Sequence, residues 1–284
     1  VGLAALAALP LIGTVLALFS SPGLIAAAPL DPEQVWVVAR RSILMALAVG
    51  AFSTGLGAWF AWADRRWVYP GGTLLGRAVV LPIAIPSFLI AATLRYSLAP
   101  AGELGEVLGL TGRFEGFWPS VCVLTLCCVP YVHLAVASAL DGLSFEQEEA
   151  ARSLGASRLR VVRAVLFPAL RPALGFSLVL VLIYALADFG AVAVLGNRVL
   201  TWELYLAAER GGPQAAVLGA VLVAVVVPMI ALGRLLKGRL GAGALAQQEV
   251  RTAPRVRPSV VARNAVMVAQ LLVVGLGVAV PVLS

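Results

Sequence analysis

The chain has 284 residues, of which 61% are hydrophobic and only 12% are charged, and its mean hydropathy is +0.98. Soluble domains carry roughly 25% charged residues, so too few charges remain here to cover a surface that faces water. The composition therefore excludes a soluble globular protein and indicates that lipid is the solvent. The net charge of +7 could suggest nucleic acid as a partner. We expect none, because the basic residues lie between apolar runs and form no face interleaved with aromatic residues.

The chain contains seven apolar runs. About 20 helical residues are enough to cross a bilayer core of about 30 Å. The runs cover residues 1–20, 42–63, 78–94, 116–140, 172–197, 211–233 and 264–284. We therefore predict an all-α, polytopic membrane helix bundle of six spans followed by the start of a seventh. Residues 237–263 mix Gly, Ala, Gln, Pro and Arg without apolar periodicity, which is typical of a flexible linker.

The basic residues predict an orientation. With the first terminus in the cytoplasm, the loops at 63–77, 141–171 and 234–263 lie inside and hold fifteen of the 21 Lys and Arg residues. This excess satisfies the positive-inside rule, so we predict a cytoplasmic N-terminus. Arg40 and Arg41 fall on the outer side, where an anchor in the lipid headgroups is the favoured interpretation.

The cytoplasmic loop at 141–171 is long and patterned. Ser144 and Gln147 form a capping box that predicts a helix start, and Gly155 can take the left-handed conformation that ends a helix. A second helix is predicted from Ser157, and Pro168 should stop or kink it before the fifth span. The pattern indicates a helix, a turn and a helix at the membrane face. An interfacial amphipathic helix without a partner has similar spacing.

The same loop resembles the EAA loop of ABC importer permeases. The matching residues are Glu149, Ala150, Ala151, Gly155, Val165, Leu166, Phe167 and Pro168. The resemblance implies the transmembrane domain of a type I ABC importer, in which this loop forms coupling helices seated in a groove of a cytoplasmic ATPase dimer. It further implies that Glu149, Ala150, Ala151 and Gly155 form that contact.

The fifth run contains a carboxylate, Asp188. A charge inside a membrane run is costly and suggests function, but Asp188 lies roughly 25 Å along the helix, where an interfacial carboxylate is the alternative. The Ala-Asp-Phe-Gly segment around it and the proline-rich third run resemble ferric-iron uptake permeases. Prolines in a span free carbonyls toward a cavity or only kink the helix. We expect Asp188, Phe189, Pro82 and Pro86 on the translocation path.

A metal site is the alternative role for His133 and the cysteines of the fourth run. Cys122 and His133 are eleven residues apart and share a helix face. Soft ligands of this kind suit copper or zinc more than ferric iron, and the apolar run offers no acidic partner. We therefore predict no metal site.

The sequence as a whole predicts the first half of a two-unit permease. Residues 1–236 would be the first transmembrane unit, 237–263 a cytoplasmic linker, and 264–284 the first span of a second unit. By resemblance, the expected cargo is ferric iron delivered by a periplasmic binding protein, although thiamine, polyamine and oxyanion importers share the loop. The expected location is the bacterial inner membrane.

The permease is expected to be no enzyme and to bind no cofactor, since ATP and Mg would belong to the ATPase partner. A second permease unit, fused or separate, is the other expected partner within the lipid bilayer. An ion-driven secondary transporter is less favoured, because paired intramembrane charges are not visible. An intramembrane enzyme would need a nucleophile with a base, or a metal triad, and neither is present in the pattern.

Overall fold

The computed structural model describes residues 31–143, 145–211, 213–240 and 254–283. Within these ranges the regular elements are helices, and an isolated bridge joins Trp67 to Val256. The α-helices are α1 (Pro32–Arg66), α2 (Gly72–Ala78), α3 (Ser87–Ser97), α4 (Glu103–Leu108), α5 (Phe117–Asp141), α6 (Phe145–Ser153), α7 (Arg158–Val161), α8 (Phe167–Ala187), α9 (Gly190–Val194), α10 (Leu200–Glu209), α11 (Gln214–Leu240), α12 (Val260–Val274) and α13 (Val280–Leu283).

Five of the described helical stretches are long and apolar enough to cross a membrane. They are Pro32–Arg66, Phe117–Asp141, Leu159–Ala187, Gln214–Ala231 and Val260–Leu283. A sixth crossing is formed if α2 and its following turn are taken together with α3 as one broken span. The predicted all-α, polytopic bundle is confirmed. The first predicted run, residues 1–20, lies outside the described residues.

Helix α5 forms the centre of the bundle, because most of its apolar residues are buried and α1, α3 and α8 pack around it. A small residue brings α1 close to α5. A Cβ added to Gly57 would lie 2.6 Å from Val132 Cβ and 2.9 Å from the carbonyl oxygen of Val129. Glycine is therefore required at this crossing, since any larger side chain would push the two helices apart.

The third apolar run is broken at its prolines, as predicted. A 3-10 turn covers Leu81–Ala84, and α3 then starts at Ser87 after a bend of 103°. Pro82 lies in the first turn of the 3-10 segment and Pro86 caps α3. Both positions tolerate a missing N–H, because the first residues of a helix have no partner for it.

The fifth apolar run does not form one helix. Helix α8 ends at Ala187, the backbone of Asp188 is extended, and a separate short helix, α9, follows. Asp188 therefore lies at a break between two helices and not within a continuous span.

Pro168 does not stop the helix, so this alternative of the prediction was wrong. The segment Leu159–Ala187 runs as one 29-residue helical stretch with a π turn at Val162–Leu166. A π turn contains one extra residue, which relieves the clash between a proline ring and the carbonyl four residues before it. The helix therefore continues through Pro168 at the start of α8.

Helices occupy both ends of the predicted linker 237–263, since α11 continues to Leu240 and α12 begins at Val260. Residues 241–253 lie outside the described ranges. Before α12 the backbone is paired with the end of α1: Val256 N donates to Arg66 O at 2.8 Å, and Val68 N donates to Val256 O at 3.0 Å. The approach to the last span is thus fixed against α1.

The last span packs on the preceding helices. It contacts α1, α2, α3, α5 and the 3-10 turn, and Gly277 faces Pro82 closely enough that an added Cβ would lie 3.1 Å from Pro82 Cγ. The predicted first span of a second unit therefore shares a core with the helices before it.

Arg41, one of the two arginines expected to anchor in the headgroups, has a protein partner. Its Nε donates to Asn197 Oδ1 at 2.9 Å, and its guanidinium lies 5.9 Å from the centroid of the Phe117 ring. Because Asn197 is fully buried, this bond satisfies a polar group that would otherwise be stranded in the core.

Candidate functional site

The cytoplasmic loop has the predicted form of two helices joined by a turn. Helix α6 ends at Ser153, and Gly155 adopts a left-handed backbone with φ of +83° before α7 begins. Ser157 caps the second helix, since its hydroxyl accepts from the N–H of Arg160 at 3.4 Å. The side-chain capping box of Ser144 and Gln147 lies outside the described residues.

The predicted contact residues of this loop are open to solvent. Glu149, Ala150 and Gly155 are exposed, and Ala151 is half-buried. Leu154, next to the turn, is 88% exposed. A charged side chain, small residues and an uncovered leucine at one corner of the loop form a surface that a partner protein can cover.

Val165 and Pro168 lie apart from this corner. Val165 is half-buried in the π turn, and Pro168 is exposed in the first turn of α8. These two positions belong to the stem that joins the loop to the membrane. The structure therefore groups Glu149, Ala150, Ala151 and Gly155 and separates Val165 and Pro168 from them.

An ion pair beneath the loop was missed by the sequence analysis. The carboxylate of Glu148 bonds to Nη2 of Arg66, the last residue of α1, and both side chains are at least nine-tenths buried. Arg152 approaches the other carboxylate oxygen of Glu148 at 3.8 Å. The sequence offered one signal for this ion pair: two arginines end the second apolar run, and the predicted loop helix starts with several acidic residues.

The side chain of Asp188 connects the third and fifth apolar runs, both of which are broken. The hydroxyl of Ser87, the first residue of α3, donates to Asp188 Oδ2, and the N–H of Ala191 donates to Asp188 Oδ1 at 2.9 Å. The hydroxyl of Thr201 donates to the backbone carbonyl of Asp188 at 3.1 Å. Asp188 is half-buried, and its side chain lies where α8 ends and α3 begins.

Aromatic rings adjoin this break. Phe189 is 37% exposed and lies 4.6 Å from the Tyr205 ring and 5.9 Å from the Trp202 ring, centroid to centroid. The bond between the Tyr205 hydroxyl and the carboxylate of Glu209 raises the pKa of Tyr205. Phe189 is thus at the edge of an open aromatic surface beside Asp188.

The two prolines predicted for the path differ in their surroundings. Pro86 is exposed and directly precedes Ser87, so it lies beside Asp188. Pro82 is buried and packs against Gly277 of the last span. The structure therefore places Asp188, Phe189 and Pro86 together and Pro82 inside the protein core.

His133 has an acidic partner that the sequence analysis did not foresee. Its Nε2 donates to Asp64 Oδ2 at 2.9 Å, across two neighbouring spans. The hydroxyl of Tyr69 and Nε2 of Gln270 both donate to Asp64 Oδ1, the latter at 3.0 Å. We call Asp64, Tyr69, His133 and Gln270 the Asp64 cluster.

The cysteines are not part of the Asp64 cluster. Cys127 and Cys128 are buried and Cys122 is exposed. In the part of the chain that the structure describes, no group of three His, Cys, Asp or Glu side chains could hold a metal ion.

Solved structures share this architecture. The chain aligns with the inward-facing MetNI methionine ABC transporter with a TM-score of 0.56 and 19% identity, covering 74% of this chain and 99% of that chain. It also aligns with a bacterial alginate ABC transporter that was solved in complex with an alginate pentasaccharide-bound periplasmic protein. The TM-score is 0.60 and the identity 14%, and the alignment covers 83% of this chain and 90% of that chain. The fold is that of a type I ABC importer transmembrane domain.

The family follows from the sequence itself. Residues 53–242 match the model of the binding-protein-dependent transport system inner membrane component. The chain belongs to this family of ABC importer permeases.

Characterised relatives differ in cargo. The chain is 30% identical over 202 residues to the Fe(3+)-transport system permease protein FbpB 2 of Haemophilus influenzae, covering 70% of this chain and 37% of that protein. It is 28% identical to the molybdenum permease ModB of Escherichia coli, covering 71% and 91%. It is also 28% identical to the sulfate permease CysT of Salmonella typhimurium, covering 73% and 78%. The chain thus spans about a third of the iron permease and most of ModB.

Proposed function

We propose that this chain is the membrane subunit of an ATP-driven importer that carries ferric iron into the bacterial cytoplasm. A periplasmic binding protein delivers the iron, and a separate cytoplasmic ATPase dimer binds ATP and Mg and hydrolyses the ATP. The permease binds no cofactor itself. A second permease unit, fused or separate, completes the path, and the N-terminus of this chain faces the cytoplasm.

The exposed corner of the cytoplasmic loop supports the ATPase contact. Glu149, Ala150 and Gly155 face solvent on a short helix and a left-handed turn, a shape that a groove on a partner can enclose. Closing of the ATPase dimer would displace this corner, and α7, the π turn and α8 carry the displacement into the membrane without a break in the helical path.

The half-buried carboxylate of Asp188 is the observation that carries the cargo assignment. It lies with the Ser87 hydroxyl where α3 begins and α8 ends, so oxygen atoms of both side chains meet at the break between the two spans. Oxygen donors suit hard cations. A carboxylate on the path attracts a metal cation and repels an oxyanion, and this attraction is strong where little water screens it.

An oxyanion is the second candidate cargo, because ModB and CysT are nearly as similar to the chain as the iron permease is. This candidate requires that the path avoid Asp188 or that another group neutralise its charge. Cargo tests must therefore include molybdate and sulfate.

A glycine substitution tests the ATPase contact. Gly155→Arg places a long cation on the exposed corner, and we expect ATP-driven uptake to fall at least about tenfold, equivalent to about 1.4 kcal/mol. Gly109→Arg is the matched control, because Gly109 has a similar φ of +63° and equally open surroundings in a different loop. Unchanged uptake by the Gly155→Arg variant contradicts the coupling role.

Uptake by proteoliposomes that hold the complete importer tests the cargo. Radiolabelled ferric iron on its binding protein is offered with ATP or with a non-hydrolysable analogue, and parallel samples receive molybdate or sulfate. The proposal expects ATP-dependent uptake of iron alone. Uptake of an oxyanion in place of iron overturns the cargo, and iron uptake that follows a proton gradient without ATP overturns the mechanism.

A further inference from the structure

Helix α6 has two carboxylates in sequence with opposite environments. Glu149 is exposed, whereas the side chain of Glu148 is only 3% exposed. Successive residues on a helix point about 100° apart, so the helix presents one face to a partner and the other to the membrane domain. The ATPase contact proposed above accounts for Glu149 but leaves the buried face unexplained.

The buried face is attached to the end of α1. The Glu148 carboxylate bonds to Arg66, whose guanidinium also lies 5.2 Å from the centroid of the Trp62 ring. A charge-assisted bond between two buried groups is stronger than one in water and resists separation. Without Arg66, Glu148 would keep only the more exposed Arg152 guanidinium at 3.8 Å, a partner that does not belong to α1.

The end of α1 is in turn attached to the last span. The carbonyl of Arg66 accepts from Val256 N at 2.8 Å, just before α12 begins. Two residues earlier, Asp64 accepts from Gln270 of α12. A displacement of Arg66 would therefore reach the helix that follows the linker as well as α1.

We infer that Glu148 and Arg66 are positioning residues for ATP coupling, which fix the inner face of α6 to α1 so that a displacement of the loop moves the membrane helices. The inference rests on the proposed ATPase contact of the loop. An α6 held only by its chain ends would pivot under the pull of the ATPase. ATP would then be hydrolysed without a matching movement of α1.

The test compares Glu148→Gln, Arg66→Met and the double variant in the assembled importer. The control is Arg65→Gln with Asp141→Asn, which removes a neighbouring ion pair of 2.6 Å between α1 and the end of α5, at side chains that are 36% and 52% exposed. Three quantities are measured: recovery of the complex with its ATPase, the rate of ATP hydrolysis, and the uptake of radiolabelled ferric iron.

We expect each single variant to retain the complex and ATP hydrolysis within about twofold, while iron transported per ATP falls at least about tenfold, equivalent to about 1.4 kcal/mol. The double variant should lose no more than either single variant, because residues that act through one bond are not additive. The control should stay near the native ratio. A purely structural role would instead lower complex recovery and leave the ratio of iron to ATP unchanged.

Glu148→Asp keeps the charge but shortens the side chain, and it serves if Glu148→Gln does not fold. We expect an intermediate ratio of iron to ATP from this variant. A native ratio in folded Glu148→Gln, multiplied losses in the double variant, or an equal loss in the control each overturns the inference. Failure of the proposed function gives a different result from failure of this inference. In that case the native importer would show no ATP-driven iron uptake, or the Gly155→Arg variant would transport normally.

Discussion

Asp64 and Asp188 are two carboxylates at the ends of membrane helices, and their surroundings differ sharply. Asp64, at the cytoplasmic end of α1 in the proposed orientation, is 8% exposed and accepts hydrogen bonds from three side chains. Asp188, at the end of α8, is half-buried and accepts from the Ser87 hydroxyl and from backbone N–H groups at the start of α9. Asp64 is enclosed by its partners, whereas Asp188 is only half-buried.

From this contrast we infer different roles for the two carboxylates. A buried carboxylate is tolerated when all its acceptor positions are filled, so the Asp64 cluster holds α1, α5 and α12 together. A carboxylate with spare acceptor capacity and access to water can exchange partners with a passing cation. We therefore expect substitutions in the Asp64 cluster to lower stability and substitutions near Asp188 to lower the transport rate.

The largest effect is expected from Asp64→Ala. Tyr69, His133 and Gln270 would each lose a buried acceptor, and unsatisfied polar groups of this kind together cost about 3–5 kcal/mol. The thermal unfolding midpoint of the purified protein in detergent should fall strongly. A midpoint equal to that of the native protein would show that the cluster does not stabilise the bundle.

A smaller loss is expected from Gly76→Ala. The added Cβ would overlap the Asp64 carboxylate, with Asp64 Cγ only 2.8 Å away, and overpacking typically costs about 1–3 kcal/mol. Gly55→Ala is the control, since its Cβ would meet nothing within 4 Å. Thermal unfolding of the two variants in parallel checks this prediction, and equal midpoints contradict it.

The smallest effect is expected from Ser87→Ala. Loss of this hydroxyl removes one bond to a half-buried carboxylate, so the unfolding free energy should change by about 1 kcal/mol or less, while initial ferric-iron uptake should fall about two- to fivefold. Thr93→Val is the control, because the Thr93 hydroxyl bonds only to carbonyls of its own helix, those of Leu89 and Ile90. If Ser87→Ala takes up iron at the native rate, Ser87 is not part of the translocation path.

Much of the fold could be predicted from the sequence, because lipid imposes long apolar helices whose lengths are visible in the run of residues. The breaks at Pro82 and Pro86 and the turn at Gly155 also follow from local chemistry. The π turn before Pro168 could not be predicted, since the chain can relieve a proline clash by kinking, stopping or widening a turn. The local sequence does not indicate which of these three outcomes occurs.

The Asp64 cluster could not be predicted because its bonds join distant residues. Asp64 adjoins Arg65 and Arg66 at the end of an apolar run and therefore resembled a loop residue, while His133 had no acid in its own run. The contact between them is 69 residues apart in sequence, and helical periodicity gives the face of each helix but not which faces meet. Asp188 could be proposed from the sequence because a charge inside an apolar run is a local signal.

The most direct test measures unfolding and uptake on the same preparations of Asp64→Asn and Asp188→Asn. Asparagine preserves the size of each side chain and can still accept from Ala191 N–H at position 188. We predict that Asp64→Asn lowers the unfolding midpoint, and that Asp188→Asn leaves the midpoint near native but lowers ATP-driven ferric-iron uptake at least about tenfold. Native uptake by folded Asp188→Asn, or the same pattern of losses in both variants, would contradict the division between the two carboxylates.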